Sequence, residues 1–185
     1  MASCHDDDVP KLTATEIDEL FTEPGHLARI ATVDADGMPR VVPLWFIVRD
    51  GRLLFTPRQP AIIWHNLVRD PRLGISIDEE AHPWRKVTIQ GVAEVVHEPG
   101  EDDRWRDLYR AIARRYVPEG AADEYVDGTD DQPRALCAVD LGADTTRVMS
   151  WRMPRRGEDL RGVWHDRYYA PGTRWKSDDA TGEDR

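Results

Sequence analysis

The sequence predicts a mainly β protein with a few helices, of the α+β class. About seven short segments rich in Val, Ile, Phe and Trp follow one another, several of them separated by tight turns. Two helical segments interrupt this series, one after the third predicted strand and one after the fifth. Many short strands with few helices are typical of a barrel or a sandwich. The predicted strands are 26–33, 38–48, 52–56, 72–78, 85–97, 135–141 and 145–151.

The composition indicates an ordinary globular protein. The chain has 185 residues, of which 40% are hydrophobic and 32% charged, and its net charge is −10. Such negative charge argues against nucleic acid or an anionic membrane as the main partner. No apolar run approaches the roughly 20 residues that cross a bilayer, and the first residues lack the basic and apolar parts of a secretory signal. We therefore expect a cytoplasmic protein.

Local signals predict the first elements. Thr13 and Glu16 form a capping-box pattern, which predicts a short helix that ends at residues 24–25. The turns at 34–37 and 49–51 each contain a glycine, where a positive φ is cheap. Connections this short predict that the first three strands form an antiparallel meander.

The later segments predict two further helices. Residues 60–68 form a short one, which Asp70 ends because the residue before a proline avoids the helical region. Residues 101–116 give the clearest helical pattern. Its apolar residues at helical spacing are Trp105, Leu108, Ile112 and Tyr116. Residues 118–134 are acidic and rich in turns, with one helical turn near Asp123.

The chain divides into three predicted regions. Residues 1–12 form a flexible acidic arm, residues 13–151 the β domain, and residues 152–185 a polar extension that contains aromatic residues. Part of this extension is expected to pack on a surface or a partner subunit. Cys4 and Cys137 lie in different environments, an arm and an apolar strand, so no structural disulfide is expected.

No residue is predicted to be catalytic from its motif alone. The sequence lacks a phosphate loop, a Gly-x-Ser-x-Gly elbow and a zinc-protease helix. Residues 4–8 are of metal-binding types, but they are adjacent and lack the spaced pairs of a closed site. We therefore predict no metal site.

Four segments in order resemble the pyridoxamine 5′-phosphate oxidase-like, FMN-binding split β-barrel family. They are residues 36–46, 54–58, 66–73 and 87–94, and residues 148–151 resemble the closing strand of that fold. The sequence resembles the branch of flavin- or deazaflavin-dependent oxidoreductases more than it resembles the true pyridoxamine phosphate oxidases. The resemblance implies a split β-barrel that works as a homodimer. It also implies that FMN, or the deazaflavin coenzyme F-420, lies between the two protomers.

The resemblance assigns cofactor-binding roles to residues of three strands and one helix. Val42, Pro43 and Leu44 border the isoalloxazine ring, Thr56 and Arg58 hold the phosphate, and His65, Asn66, Gln90 and Gly91 complete the implied set. Arg58 ends a strand just before a predicted helix start, where free amides add to a guanidinium in binding an anion.

Four of these positions have a second interpretation from the residues alone. Arg58 binds the phosphate or is a surface arginine without a role, and Thr56 donates its hydroxyl to the phosphate or simply ends a strand. His65 contacts the cofactor, the substrate or a haem iron, or it is a partly exposed packing residue, which is the commoner case. Gly91 permits the close approach of another group, or it marks a β-bulge. Gln90 forms a hydrogen bond to a ring edge where the strand approaches the cofactor.

One position departs from the family pattern. Many relatives carry a Lys or Arg three residues before the Asn-Leu pair, and here that position is Ile63. Weaker cofactor affinity is one interpretation and a different cofactor is a second. Replacement of the cation by Arg69, Arg72 or Arg85 is the third.

These observations support three hypotheses. The first is a homodimeric oxidoreductase that uses FMN or the deazaflavin for hydride transfer to or from a small organic substrate, because the cofactor itself carries the hydride. The second is a non-catalytic split-barrel protein that binds a flavin, haem or another ligand. The third is haem binding or breakdown, for which His65 is the sequence support. Trp45, Trp84 and Trp151 either line an apolar pocket or belong to the core or an interface.

Overall fold

The computed structural model describes residues 11–118 and 120–158 of the chain. The helices are α1 (Ala14–Thr22), α2 (Ile62–Arg69), α3 (Arg106–Ala113) and α4 (Ala121–Asp127), with a short 3-10 helix (Asp102–Arg104) before α3. The strands are β1 (Ala28–Val33), β2 (Pro39–Leu44), β3 (Phe46–Arg49), β4 (Arg52–Phe55), β5 (Arg72–Asp78), β6 (Lys86–Val92), β7 (Glu94–His97), β8 (Leu136–Asp140) and β9 (Arg147–Trp151). The predicted α+β class is confirmed.

The strands form two antiparallel sheets. One has five strands in the order β2-β1-β5-β6-β9, and the other has four in the order β3-β4-β8-β7. The predicted long strands 38–48 and 85–97 are each two strands, because the chain leaves one sheet near Trp45 or Ala93 and enters the other. The predicted antiparallel pairings are confirmed, because β1 pairs with β2 and β3 pairs with β4. The two pairs lie in different sheets, so the first three predicted strands do not form a meander within one sheet.

Tyr116 holds the first of these crossings in place. Its hydroxyl donates a hydrogen bond to the carbonyl of His26 at 2.8 Å and accepts one from the amide of Phe46 at 3.1 Å. The amide of Phe46 follows the crossing directly and thus has a partner outside its sheet. A buried amide without a partner would be costly, so this tyrosine stabilises the change of sheet.

The main core lies between the two sheets. Alternate residues of the central strands are buried, as in Ile75 and Ile77 of β5 or Val87 and Ile89 of β6. Side chains that alternate in this way place every second residue on the core face. A second cluster of buried residues lies between the four-stranded sheet and helices α3 and α4. It includes Tyr109 of α3 and Leu136 of β8.

The predicted helices are present, but their bounds differ from the predicted ones. The capping box forms, since the Thr13 amide donates to the Glu16 carboxylate at 2.8 Å and the Glu16 amide donates to the Thr13 hydroxyl at 3.2 Å. The single helix predicted over 101–116 is wrong, because a 3-10 turn precedes α3 and Trp105 separates the two. The helical turn predicted near Asp123 is helix α4.

The first part of the predicted extension, up to residue 158, packs against helix α1. Arg152 is buried and pairs with Glu158 at 2.7 Å, while Arg155 pairs with Glu16 of α1 at 2.5 Å. The predicted arm up to residue 10, including Cys4 and residues 4–8, lies outside the described residues. The aromatic residues predicted to pack in the extension, Trp164, Tyr168, Tyr169 and Trp175, also lie outside them. In the described part of the chain, no helix is long and apolar enough to cross a membrane.

Candidate functional site

Arg58 and His65 lie in one surface cleft. The cleft has a volume of about 530 Å³, and its other lining residues are Gln59, Pro60, Asp131, Gln132 and Pro133. It lies where the chain leaves β4 and approaches α2. The structure therefore brings together two of the residues that the resemblance assigned to a cofactor.

Backbone pairing beyond the end of β4 positions Arg58. The amide of Ala135 donates to the carbonyl of Pro57 at 3.0 Å, and the amide of Gln59 donates to the carbonyl of Pro133 at 2.9 Å. Between these bonds, Arg58 and Arg134 form an isolated antiparallel bridge. Arg58 is thus fixed in its backbone although it follows the last residue of the strand.

Helix α2 closes another side of the cleft. Its N-cap residue, Ala61, has no side chain that can cap the first amides. Such amides at a helix start can bind an anion. His65 is exposed on this helix, whereas Ile63 is 2% exposed and packs in the main core. The position where many relatives carry a cation is therefore apolar and turned away from the cleft.

The three arginines considered as replacements for that cation are engaged elsewhere. Arg85 pairs with Glu79 at 2.9 Å and Glu23 at 2.7 Å. Arg72 pairs with Asp70 at 2.6 Å, and Arg69 donates to the carbonyl of Val33.

Arg58 differs from these arginines in its surroundings. Its side chain is exposed, and it forms no ion pair with a carboxylate of the described residues. Its charge acts to lower the pKa of Tyr125. Arg58 is therefore a cation in the cleft that is available to an external anion.

Thr56 and Asn66 are buried beside the cleft. Thr56 is 6% exposed and Asn66 is 2% exposed. The Asn66 amide donates to the Thr32 hydroxyl at 3.0 Å and to the Asp34 carboxylate at 2.7 Å. Its side-chain nitrogen thus ties α2 to β1 and the turn that follows it.

The β2 residues lie at the edge of the five-stranded sheet. Val42 and Leu44 are half-buried against the main core, whereas Pro43 between them is exposed. β2 pairs with β1 on one side only. Its other side therefore offers backbone groups that no strand of the described residues pairs with, and a proline is tolerated at such an edge.

Gln90 and Gly91 lie in a second, larger groove. This groove has a volume of about 680 Å³, and Arg72 and Arg147 are among its lining residues. Gly91 is paired in register with Leu73, so the bulge interpretation is wrong. A Cβ at this position would lie 3.0 Å from Cγ1 of Val139 and 3.2 Å from the hydroxyl of Thr146. The close approach of other side chains accounts for the glycine.

The tryptophans singled out from the sequence have three different environments. Trp45 stacks on Tyr116 with ring centroids 5.1 Å apart, and it is half-buried. Trp84 is 45% exposed at the surface. Trp151 is half-buried, with the Lys86 ammonium 4.9 Å from its ring centroid. None of the three lines the cleft at Arg58 or the groove at Gln90.

The sequence analysis did not identify Arg134 and the tyrosines beside it. Arg134 is 6% exposed, and its guanidinium lies 4.7 Å from the ring centroid of Tyr109. Burial raises the pKa of Tyr109, although the charge of Arg134 opposes this effect. Burial also acts to raise the pKa of Tyr125, but hydrogen bonding with Tyr109 and the charges of Arg134 and Arg58 outweigh it, so this pKa is lowered. An arginine directly before an apolar strand was the available sequence signal.

Other kinds of site receive no support from the described residues. No group of three or more His, Cys, Asp or Glu side chains there is arranged to hold a metal ion. Cys137 is a free, buried cysteine, and burial raises the pKa of its thiol to about 12. Such a thiol is unreactive at neutral pH.

Two antiparallel sheets, with a cleft that contains Arg58 beyond the end of β4, define a split β-barrel protein. Residues 13–142 match the sequence model of the family described as pyridoxamine 5′-phosphate oxidase. The chain belongs to this pyridoxamine 5′-phosphate oxidase-like family. The resemblance inferred from the four sequence segments is thereby confirmed.

Solved structures share the fold at low sequence identity. A conserved hypothetical protein, Rv2991, from Mycobacterium tuberculosis is 24% identical, with a TM-score of 0.56 over 88% of this chain and 92% of that one. The heme storage protein HutZ from Vibrio cholerae is 22% identical, with a TM-score of 0.55 over 74% of this chain and 94% of that one. An FAD-binding protein from Mesorhizobium loti is 19% identical, with a TM-score of 0.52 over 76% and 94%. No protein with a curated description matches the sequence significantly.

Proposed function

We propose that the protein is a homodimeric oxidoreductase that uses FMN or the deazaflavin coenzyme F-420 to transfer a hydride to or from a small organic substrate. The observation that carries this proposal is the cleft at Arg58, within a chain of this family. A bound flavin or deazaflavin supplies the hydride chemistry. The chain's own residues bind the cofactor, orient it and exclude water from it.

The cleft suits the phosphate of such a cofactor. Arg58 brings a guanidinium that no carboxylate of the described residues neutralises. The uncapped start of α2 adds backbone amides, and His65 adds an imidazole to the lining of the cleft. Asp131 also lines the cleft, and its carboxylate disfavours a phosphate close to it. A guanidinium binds a phosphate through two parallel hydrogen bonds.

A second copy of the chain completes the site in this proposal. Within one protomer, the cleft at Arg58 and the groove at Gln90 are separate. The outer face of the five-stranded sheet carries exposed apolar residues, among them Val33 at 50% and Val41 at 61% exposure. Exposed apolar patches mark interfaces between proteins. A homodimer through this face would bring the β2 edge of one protomer towards the partner.

A non-catalytic binding protein is the second candidate function. The observation in its favour is Ile63, because an apolar core residue stands where many relatives carry a cation. Phosphate binding then depends on fewer charges than in those relatives. Haem is a further ligand to test, since the exposed imidazole of His65 in the cleft is of a type that ligates haem iron.

Titration of the purified full chain with FMN, the deazaflavin, riboflavin and haem tests the proposal. We expect FMN or the deazaflavin to bind at about one per protomer and the bound cofactor to be reduced or reoxidised by a small organic substrate. Tight binding without any redox turnover would support the binding-protein candidate. Binding of haem alone, or of none of the four, would contradict the proposed cofactor.

A further inference from the structure

Arg134 is a buried arginine whose guanidinium forms no ion pair among the described residues. It is 6% exposed, and its Nε and Nη2 atoms are buried without a hydrogen-bond partner. Asp102 accepts a hydrogen bond from the backbone amide of Arg134 at 3.0 Å. That carboxylate therefore holds the main chain and leaves the unpartnered guanidinium atoms unsatisfied. A charge buried in this way is costly unless something pairs with it.

The fold places this guanidinium beside that of Arg58. The two residues oppose each other in the isolated bridge that extends β4 and β8. Directly opposed residues of an antiparallel pair send their side chains to the same face. Both side chains therefore leave the four-stranded sheet on the face that α3 and α4 cover.

Two tyrosines, Tyr109 and Tyr125, lie close to the two arginines. The Arg134 guanidinium lies over the ring of Tyr109, whose centroid is 6.4 Å from that of Tyr125. The charges of Arg134 and Arg58 both act to lower the pKa of Tyr125. Both cations are therefore close enough to influence this hydroxyl. Because Tyr109 covers Arg134 from α3, the open approach to the pair is from the side of Arg58.

Neither guanidinium forms an ion pair among the described residues, although Asp102 accepts from the Arg134 amide and Asp131 lines the cleft with Arg58. Burial raises the pKa of Tyr109, so this phenol is neutral at neutral pH and supplies no negative charge. Arg58 likewise forms no ion pair within the described part of the chain. An anion bound between the two guanidinium groups would satisfy both of them and the donor atoms of Arg134.

We propose that Arg134 is a second anion-binding residue, which together with Arg58 and the Tyr125 hydroxyl binds the phosphate monoester of the cofactor. This inference rests on the proposed function and specifies it. Two guanidinium groups match a doubly charged phosphate monoester, as in FMN, better than the singly charged phosphodiester of the deazaflavin. The site therefore favours FMN.

Comparison of FMN with riboflavin, which lacks the phosphate, isolates the contribution of this site. We expect the wild-type chain to bind FMN more tightly than riboflavin, and Arg134→Met to weaken FMN binding by about 10- to 100-fold. Riboflavin binding should not change. Arg115→Met is the matched control, because Arg115 is a half-buried arginine that contacts aromatic rings and has a buried Nε without a partner. An unchanged ratio of FMN to riboflavin affinity in Arg134→Met would overturn the inference.

A second measurement keeps the test independent of flavin binding and of the stability of one variant. Inorganic phosphate should raise the Tm of the wild-type chain and of Arg115→Met, but not that of Arg134→Met. If Arg134→Met does not fold, Arg134→Lys keeps the charge, loses the planar fork and should lose most of the phosphate effect. Failure of every flavin to bind, with a phosphate effect that depends on Arg134, would contradict the proposed function and support the anion site. A wild-type chain without any phosphate effect would overturn the anion site.

Discussion

The side-chain amide of Asn66 donates a hydrogen bond of 2.7 Å to the carboxylate of Asp34. This bond joins α2 to the turn between β1 and β2, although the two residues are far apart in sequence. Arg40 pairs with the same carboxylate at 2.7 Å from the other side. The carboxylate of Asp34, in the turn that joins two strands of the five-stranded sheet, therefore holds α2 in position beside the cleft. The resemblance assigned Asn66 to the cofactor, and in the structure its side-chain amide positions α2.

Acid should weaken the folded state through Asp34. Hydrogen bonds from Arg40 and then from Asn66 lower the pKa of this carboxyl from 3.8 to about 2. Its contribution to stability is present above the unfolded value and is lost as the pH falls through 3.8 towards 2. Asp34→Asn should therefore be less stable than the wild type at pH 7, with a difference that shrinks in this acidic range.

Urea unfolding at a series of pH values measures this difference. Asp144→Asn is a suitable control, because Asp144 is exposed and forms no ion pair among the described residues. A difference between Asp34→Asn and the wild type that is the same at neutral and at acidic pH would contradict the assignment.

Arg58→Ala should weaken the binding of a phosphate-bearing cofactor. The loss of a charge-assisted contact is expected to cost about 1.5–3 kcal/mol of binding free energy. Fluorescence titration with FMN measures it, and riboflavin shows whether the loss depends on the phosphate. Arg49→Ala is the control, since Arg49 is exposed and lies outside the cleft. Unchanged FMN affinity in Arg58→Ala would remove Arg58 from the site.

Gly91→Ala should destabilise the fold by about 1 kcal/mol or more, because the new methyl group would press on Val139 and Thr146 in a packed interior. Gly74→Ala is a matched control on the neighbouring strand. Its Cβ would lie 3.8 Å from that of Ala31, an ordinary contact, so we expect a change within about 0.5 kcal/mol. The free energy of unfolding in urea compares the two. Equal effects of both substitutions would show that the contacts with Val139 and Thr146 do not cause the loss of stability.

Val41→Lys should shift the protein from dimer to monomer. Val41 is 61% exposed on the outer face of the five-stranded sheet, where the proposed homodimer interface lies. A charge buried there without a partner disfavours association. Val68→Lys is the control, because Val68 is 62% exposed on α2 instead. Sedimentation velocity distinguishes the species, and a dimer that survives Val41→Lys would place the interface elsewhere.

Local patterns in the sequence predicted the elements that depend on local interactions. The capping box at Thr13 and Glu16 forms as predicted, and the strand predicted at 72–78 has the same bounds as β5. The strand over 38–48 was predicted as one element, because its apolar residues continue through Trp45. Periodicity shows which residues suit a strand. It does not show to which sheet they belong.

The candidate site was predicted in part for the same reason. Arg58 and His65 were found because they lie in segments that resemble the family, and the fold brings them into one cleft. Arg134 was missed, since the role proposed for it depends on the bridge to Arg58, a residue far away in the sequence. Ile63 was noted as the missing cation, but its burial in the core was visible only in three dimensions.

The sequence by itself determined the α+β class, the helix start at Thr13, most strand positions and the family. These features follow from residue type and short-range spacing, which fix backbone preference and the side that is buried. The tertiary structure alone decided that two long β segments cross between sheets, that Gly91 faces Val139 and that two arginines share one face. Each of these depends on contacts between distant segments, whose geometry is set by how the two sheets pack and not by any local pattern.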